Sequence, residues 1–174
     1  MAFSRQDIEC MAFALKLSKK GRASVGANPM VGCVITRDGK IVAQDYHRQY
    51  GKSHAEVNAL DQIKHQGKGT KLYVTLEPCS HQGKTPPCTK ALIKAGVKNV
   101  VVAMLDPNPM VSGRGVKFLQ DAGIEVEIGL LQSEAMELNR GFIKRMETGM
   151  PFVTTKIAMS LDGGTAMRSG ESQW

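Results

Sequence analysis

His54 and Glu56 stand two residues apart, and downstream Cys79 and Cys88 each follow a proline. Imidazole nitrogen and thiolate sulfur are ligands that zinc binds tetrahedrally, and a site with three protein ligands keeps one position for water. A carboxylate beside the histidine is then the natural general base for that water. The two-residue spacing restricts the fold, because residues two apart inside a helix point to different faces. His54 and Glu56 converge most easily in the first turn of a helix, where the backbone is still bending into helical geometry. Ser53 is the expected N-cap, and Val57, Leu60 and Ile63 give the segment from Ala55 to Lys64 helical spacing before Gly67. Cys88 likewise precedes a short helix, Thr89 to Ala95, closed by Gly96. Helix N-termini favour anions, so thiolates placed there are stabilised.

Two other uses of these side chains stay open at this level. His81 as a fourth ligand would close a purely structural zinc site and leave Glu56 no water to activate, and Cys79 and Cys88 have the reach of a disulfide, although nothing else in the chain speaks for an oxidising compartment. Cys10 and Cys33 lie in apolar stretches and read as small buried hydrophobes.

With 174 residues and 42% hydrophobic content the chain can bury one substantial core. No stretch approaches a membrane span and the N-terminus lacks the pattern of a signal peptide, so a cytoplasmic enzyme domain is the expectation. The net charge of +7 points to an anionic partner, nucleic acid or a small phosphorylated molecule. The basic residues are dispersed, however, and three tyrosines and one tryptophan give little surface for stacking on bases.

Periodicity predicts a first helix with a capping box at Ser4 and Asp7 and an apolar stripe of Ile8, Met11, Ala12 and Leu15. A hairpin follows, Val31 to Thr36 and Ile41 to Asp45 around Asp38-Gly39. Strand-like runs at Lys71 to Leu76, Asn99 to Leu105 and Glu125 to Gly129 then alternate with helices, including one around Val116 to Ala122, and Leu131 to Thr148 reads as one long last helix. This order argues for an α/β sandwich whose mixed sheet opens with the N-terminal hairpin and continues in parallel strands. Cys79 and Asp106-Pro107-Asn108-Pro109 both follow strand ends, where open α/β sheets place their ligands.

His54-Ala55-Glu56, the run from Thr75 through Leu76-Glu77-Pro78-Cys79 to Pro86-Pro87-Cys88, and Asp106-Pro107-Asn108-Pro109 together resemble the deaminase domain of the bacterial bifunctional riboflavin biosynthesis deaminase/reductases. The eight-residue gap between the cysteines departs from the P-C-x-x-C of nucleic-acid deaminases and agrees with this family. The resemblance implies a three-layer α/β/α sandwich of the cytidine-deaminase-like type and a zinc ion on His54, Cys79 and Cys88 with Glu56 as catalytic base. It further implies hydrolytic deamination of a phosphorylated aminopyrimidine held by Asn28, His47, Lys84, Asp106 and Asn108, with a homo-oligomer as one open arrangement. From Pro151 onward the chain resembles the opening of an NADPH-dependent reductase domain, with Lys156, Ala158, Ser172 and Trp174 at cofactor or substrate positions and Gly164 where the family has a basic residue. The implied division is 1–149 for the deaminase and 150–174 for a truncated reductase opening, in which 152–158 is a candidate strand. A tRNA or single-stranded nucleic-acid deaminase and a non-catalytic zinc-stabilised binding module are the alternatives from other classes.

Overall fold

The structure is a computed structural model that describes residues 3–109 and 111–172. Helix α1 (Arg5–Ser18) opens with the expected capping box, in which the Ser4 hydroxyl accepts from the Asp7 amide while Asp7 accepts from the Ser4 amide. Its buried stripe is rotated from the expected one. Asp7, Cys10, Met11, Ala14, Leu15, Leu17 and Ser18 face inward, whereas Ile8 and Ala12 lie outside. The rotation follows from Asp7, whose carboxylate is drawn inward by partners on the sheet.

Strands β1 (Gly32–Arg37) and β2 (Lys40–Tyr46) form the hairpin, and Asp38 and Gly39 take φ of 50° and 74° as a primed two-residue turn demands. Strand β3 (Thr70–Val74) pairs antiparallel with β1, then β4 (Asn99–Val102) and β5 (Glu125–Ile128) add in parallel, giving the order β2-β1-β3-β4-β5. α1 lies across β1, β2 and β3. Its approach is close at Gly32, where a Cβ would lie 2.0 Å from the Ala14 carbonyl oxygen. Helices α2 (Ala55–Gln62), α3 (Cys88–Ala95) and α4 (Arg114–Asp121) touch in turn on the other face, completing a three-layer α/β/α sandwich around Val34, Ile35, Leu72, Val74, Leu92, Val100 and Leu119.

The C-terminal part departs from the sequence reading. Instead of one helix there are α5 (Gln132–Leu138) and α6 (Arg140–Thr148), broken at Asn139. That buried side chain pairs with the Met30 backbone, accepting from its amide at 2.8 Å and donating to its carbonyl at 3.0 Å, and holding this register costs the helix its continuity. Residues 152–158 form no strand. The whole of 151–172 is exposed without helix or strand, since no neighbouring strand offers it a ladder. Its ring at Phe152 rests under the Arg140 guanidinium, 4.6 Å from centroid. No helix among the described residues is long and apolar enough to cross a membrane.

Candidate metal centre and substrate cavity

The two helix starts bring the ligand atoms together. The N-cap of α2 is His54, not Ser53: its extended backbone (φ −75°, ψ 167°) turns the imidazole off the helix end while Glu56 enters the first turn. Cys88 is the first residue of α3. Cys79 sits on that same helix end, its sulfur accepting from the Cys88 amide at 3.3 Å and its carbonyl accepting from the Thr89 amide and hydroxyl, each at 3.2 Å. The exposed amides of α3 thus fix the Cys79 backbone and favour its thiolate.

His54 Nδ1 lies 3.5 Å from Cys79 Sγ and 3.3 Å from Cys88 Sγ, and the three ligand atoms fall within 4.8 Å of one another. Tetrahedral zinc with the usual Zn–N and Zn–S lengths sets nitrogen and sulfur about 3.6 Å apart, so the donor set and its spacing fit zinc. His81 is exposed and outside this group, and Cys79 and Cys88 are free thiols, which removes the closed structural site and the disulfide. Cys10 and Cys33 are buried elsewhere in the core.

The titratable groups shift together. The Cys88 hydrogen bond, then His54, draws the Cys79 thiol down, while Cys79 and burial push Cys88 well up. The Cys79 contact raises His54 despite burial. Burial pushes Glu56 up, and the carboxylate, 3% exposed, keeps Oε2 without a hydrogen-bond partner. A buried carboxylate oxygen without a partner is a costly arrangement unless something else meets it there.

These groups line a cavity of about 320 Å³. Asn28, His47, Lys84 and Asp106 share its wall with His54, Glu56 and Cys79, whereas Asn108 does not line it and instead donates its amide to Asp106 Oδ1 at 2.9 Å. His47 Nδ1 lies 3.2 Å from the Ser53 carbonyl, its ring meets His54 edge-to-face at 5.3 Å, and Nε2 is buried without a partner. Burial lowers the pKa of His47, and burial raises that of Asp106. Lys156, Ala158 and Ser172 lie in the exposed tail away from the cavity wall, and Trp174 lies outside the described residues.

Sequence reasoning missed several residues of this site. Tyr50 stands at the mouth with Lys84 Nζ 4.1 Å from its ring centroid, a pairing of two loops without a local signature. Phe142 reaches the wall from α6. Glu77 is read in sequence only as part of the Leu-Glu-Pro-Cys run, yet its buried carboxylate accepts four backbone amides.

Residues 4–104 match the family model described as the cytidine and deoxycytidylate deaminase zinc-binding region. The riboflavin biosynthesis protein RibD of Escherichia coli (strain K12) is 58% identical over 97% of this chain and 46% of its own length. A diaminohydroxyphosphoribosylamino-pyrimidine deaminase of Buchnera aphidicola subsp. Schizaphis graminum is 52% identical over 81% of this chain and 96% of its own length. Acinetobacter baumannii RibD superposes with a TM-score of 0.92 at 55% identity, over 98% of this chain and 48% of that one. The chain thus spans about half the length of the RibD proteins it matches and nearly all of the separate deaminase. With the zinc-binding signature matched across more than half its length and a relative of deaminase size matched almost end to end, the chain belongs to the diaminohydroxyphosphoribosylaminopyrimidine deaminases of riboflavin biosynthesis, within the zinc-binding cytidine and deoxycytidylate deaminase family.

Proposed function

We propose that this chain hydrolytically deaminates 2,5-diamino-6-ribosylamino-4(3H)-pyrimidinone 5′-phosphate. The observation that carries the reading is the pairing of the His54–Cys79–Cys88 group with the unpartnered buried oxygen of Glu56 on one cavity wall. Zinc, when held by those three side chains, supplies Lewis-acid chemistry that makes water a nucleophile at neutral pH. Glu56 takes the proton of the attacking water, passes it to the ring nitrogen beside the reacting carbon, and then serves the departing amine. One water is consumed, the C–N bond breaks, a carbonyl forms and ammonia leaves. Asn28 and Asp106 offer amide and carboxyl groups to the base, and His47, with its free Nε2 lone pair, accepts a substrate hydroxyl or amine. Lys84, at the mouth, meets the phosphate, and Asn108 fixes Asp106 through its backbone.

The division at 149/150 belongs to the same reading. Residues 1–149 form the deaminase domain, and 150–174 open a reductase domain in which Lys156, Ala158, Ser172 and Trp174 serve NADPH or the substrate only within a complete sheet. A 174-residue protein of this sequence therefore releases ammonia and leaves NADPH unoxidised. The test supplies the phosphorylated diaminopyrimidine to the zinc-loaded protein and follows ammonia. Glu56→Gln keeps shape and zinc but cannot take up the proton, so turnover falls about a hundredfold or more. Near-native ammonia release by that variant would assign the base elsewhere, and comparable deamination of tRNA or single-stranded DNA by the parent would overturn the substrate.

A further inference from the structure

Glu77 leaves the end of β3 two residues before Cys79, and only 4% of it is exposed. Its Oε2 accepts from the amides of Asp106 (3.0 Å) and Gly113 (2.9 Å), and its Oε1 from those of Gly115 (2.7 Å) and Val116 (3.2 Å). Two bonds to each oxygen fill the acceptor capacity of the carboxylate. Among the described residues no lysine, arginine or histidine forms an ion pair with it. The carboxylate is met instead by backbone amides, those of the first turn of α4 included.

An ordinary helix cap comes from a neighbouring residue. This one arrives from 29 to 39 residues away and joins two loops that both reach the cavity. On one side is the run that carries Cys79. On the other is the loop after β4, which presents Asp106 to the cavity and turns back through the Asn108 amide on Asp106 Oδ1. The two are also pressed together, since a Cβ at Gly115 would lie 2.0 Å from the Pro78 carbonyl oxygen.

We propose that Glu77 is a positioning residue for the deamination, holding Asp106 and the start of α4 against the Cys79 loop and so fixing the distance between Asp106 and the metal centre. The proposal rests on the reaction assigned above. The metal ligands come from α2, α3 and the Cys79 backbone, whose seating on α3 does not involve Glu77. Loss of the carboxylate therefore moves Asp106 and spares the zinc.

Glu77→Gln preserves the side-chain volume but turns an amide NH2 toward backbone N–H donors, breaking about half of the array. Zinc content and the cobalt(II) spectrum of the metal-substituted protein should match the parent, amides in 106–116 should exchange faster, and kcat/KM should fall about ten- to a hundredfold, mainly through KM. Gly115→Ala, whose Cβ would press on the Pro78 carbonyl and lie 3.0 Å from Glu77 Oε1, disturbs the same array from the α4 side and should shift KM in the same direction. Asp7→Ala is the control: it lowers thermal stability from the far end of the sheet and should leave KM unchanged. Unchanged exchange in 106–116, or an unchanged KM where the parent turns over, overturns the proposal. A parent that releases no ammonia overturns the assigned reaction instead, and the exchange result alone then decides on Glu77.

Discussion

Asp7 offers a stability test whose size and pH dependence both follow from its surroundings. The carboxylate accepts from the Ser4 amide (2.9 Å) and hydroxyl (2.7 Å) at the start of α1, and from the Tyr73 hydroxyl on β3 (2.7 Å). Lys71 lies 2.8 Å away with its side chain 30% exposed, and it also reaches Glu127 at 3.3 Å. Asp7→Ala removes the Asp7 half of the capping box, worth about 0.5–1 kcal/mol while the Ser4 hydroxyl still meets the backbone amide at position 7, and deprives the buried Tyr73 hydroxyl of its carboxylate at about 1–3 kcal/mol. The lysine adds about 1 kcal/mol at most, because water still reaches it. A loss of about 3–4 kcal/mol, or roughly 10 °C in melting temperature for a chain of this size, is expected at pH 7. Burial alone would raise the Asp7 pKa, but the hydrogen bonds from Lys71, Ser4 and Tyr73 outweigh it and hold the carboxyl far below its ordinary range. The folded value being the lower one, Asp7 stabilises the fold fully above its unfolded pKa of about 3.9 and loses this contribution as pH falls below it. Urea unfolding of parent and variant between pH 7 and pH 3 should show the gap between them narrowing with acidity. Release of zinc in acid affects both proteins and drops out of the difference. A pH 7 gap below about 0.5 kcal/mol, as for an ordinary surface substitution, or a gap that does not narrow, would refute the argument.

Asp7 also marks the limit of what the sequence discloses. Its capping box with Ser4 is a pattern over four residues and could be read directly, as could the Asp38-Gly39 turn, the Gly96 helix stop and the placing of His54 and Cys88 at helix starts. Its inward orientation could not, because Tyr73, which fixes it, is 66 residues away. The expected stripe therefore included Ile8, whose hydrophobicity says inside but which is 43% exposed. Asn139 repeats the lesson, since the segment from Leu131 to Thr148 keeps helical composition and the break comes from Met30, 109 residues distant. In the site, spacing and chemistry pointed to His54, Glu56, Cys79 and Cys88, and family resemblance pointed to Asn28, His47, Lys84 and Asp106 on the wall. Glu77 lay in plain view beside Cys79 but its function is written in four backbone amides, which carry no residue identity. Apolar periodicity is local information, and polar satisfaction across the fold is not.

Cys79→Ser and Cys88→Ser should each lose most of the bound zinc by elemental analysis, whereas Cys10→Ser, on the buried face of α1, should retain it; full zinc in the double Cys79/Cys88 variant would contradict the ligand set. Asn139→Ala should cost stability and substrate affinity together. The Asn139 amide, 3% exposed, satisfies both the N–H and the C=O of Met30, which follows Asn28-Pro29 on the cavity wall. Truncation leaves both half-buried groups unpaired at about 2–3 kcal/mol, or roughly 5–10 °C in thermal unfolding. Arg145, which donates to the Ala27 carbonyl at 2.8 Å, still tethers the loop, so the protein should fold and its KM can be read. Asn139→Asp keeps the acceptor for the Met30 amide but sets an anion against the Met30 carbonyl, and should fare no better than alanine. Melting of either variant within about 1 °C of the parent would show that the Met30 pairing does not hold this loop, and that the break between α5 and α6 has another cause.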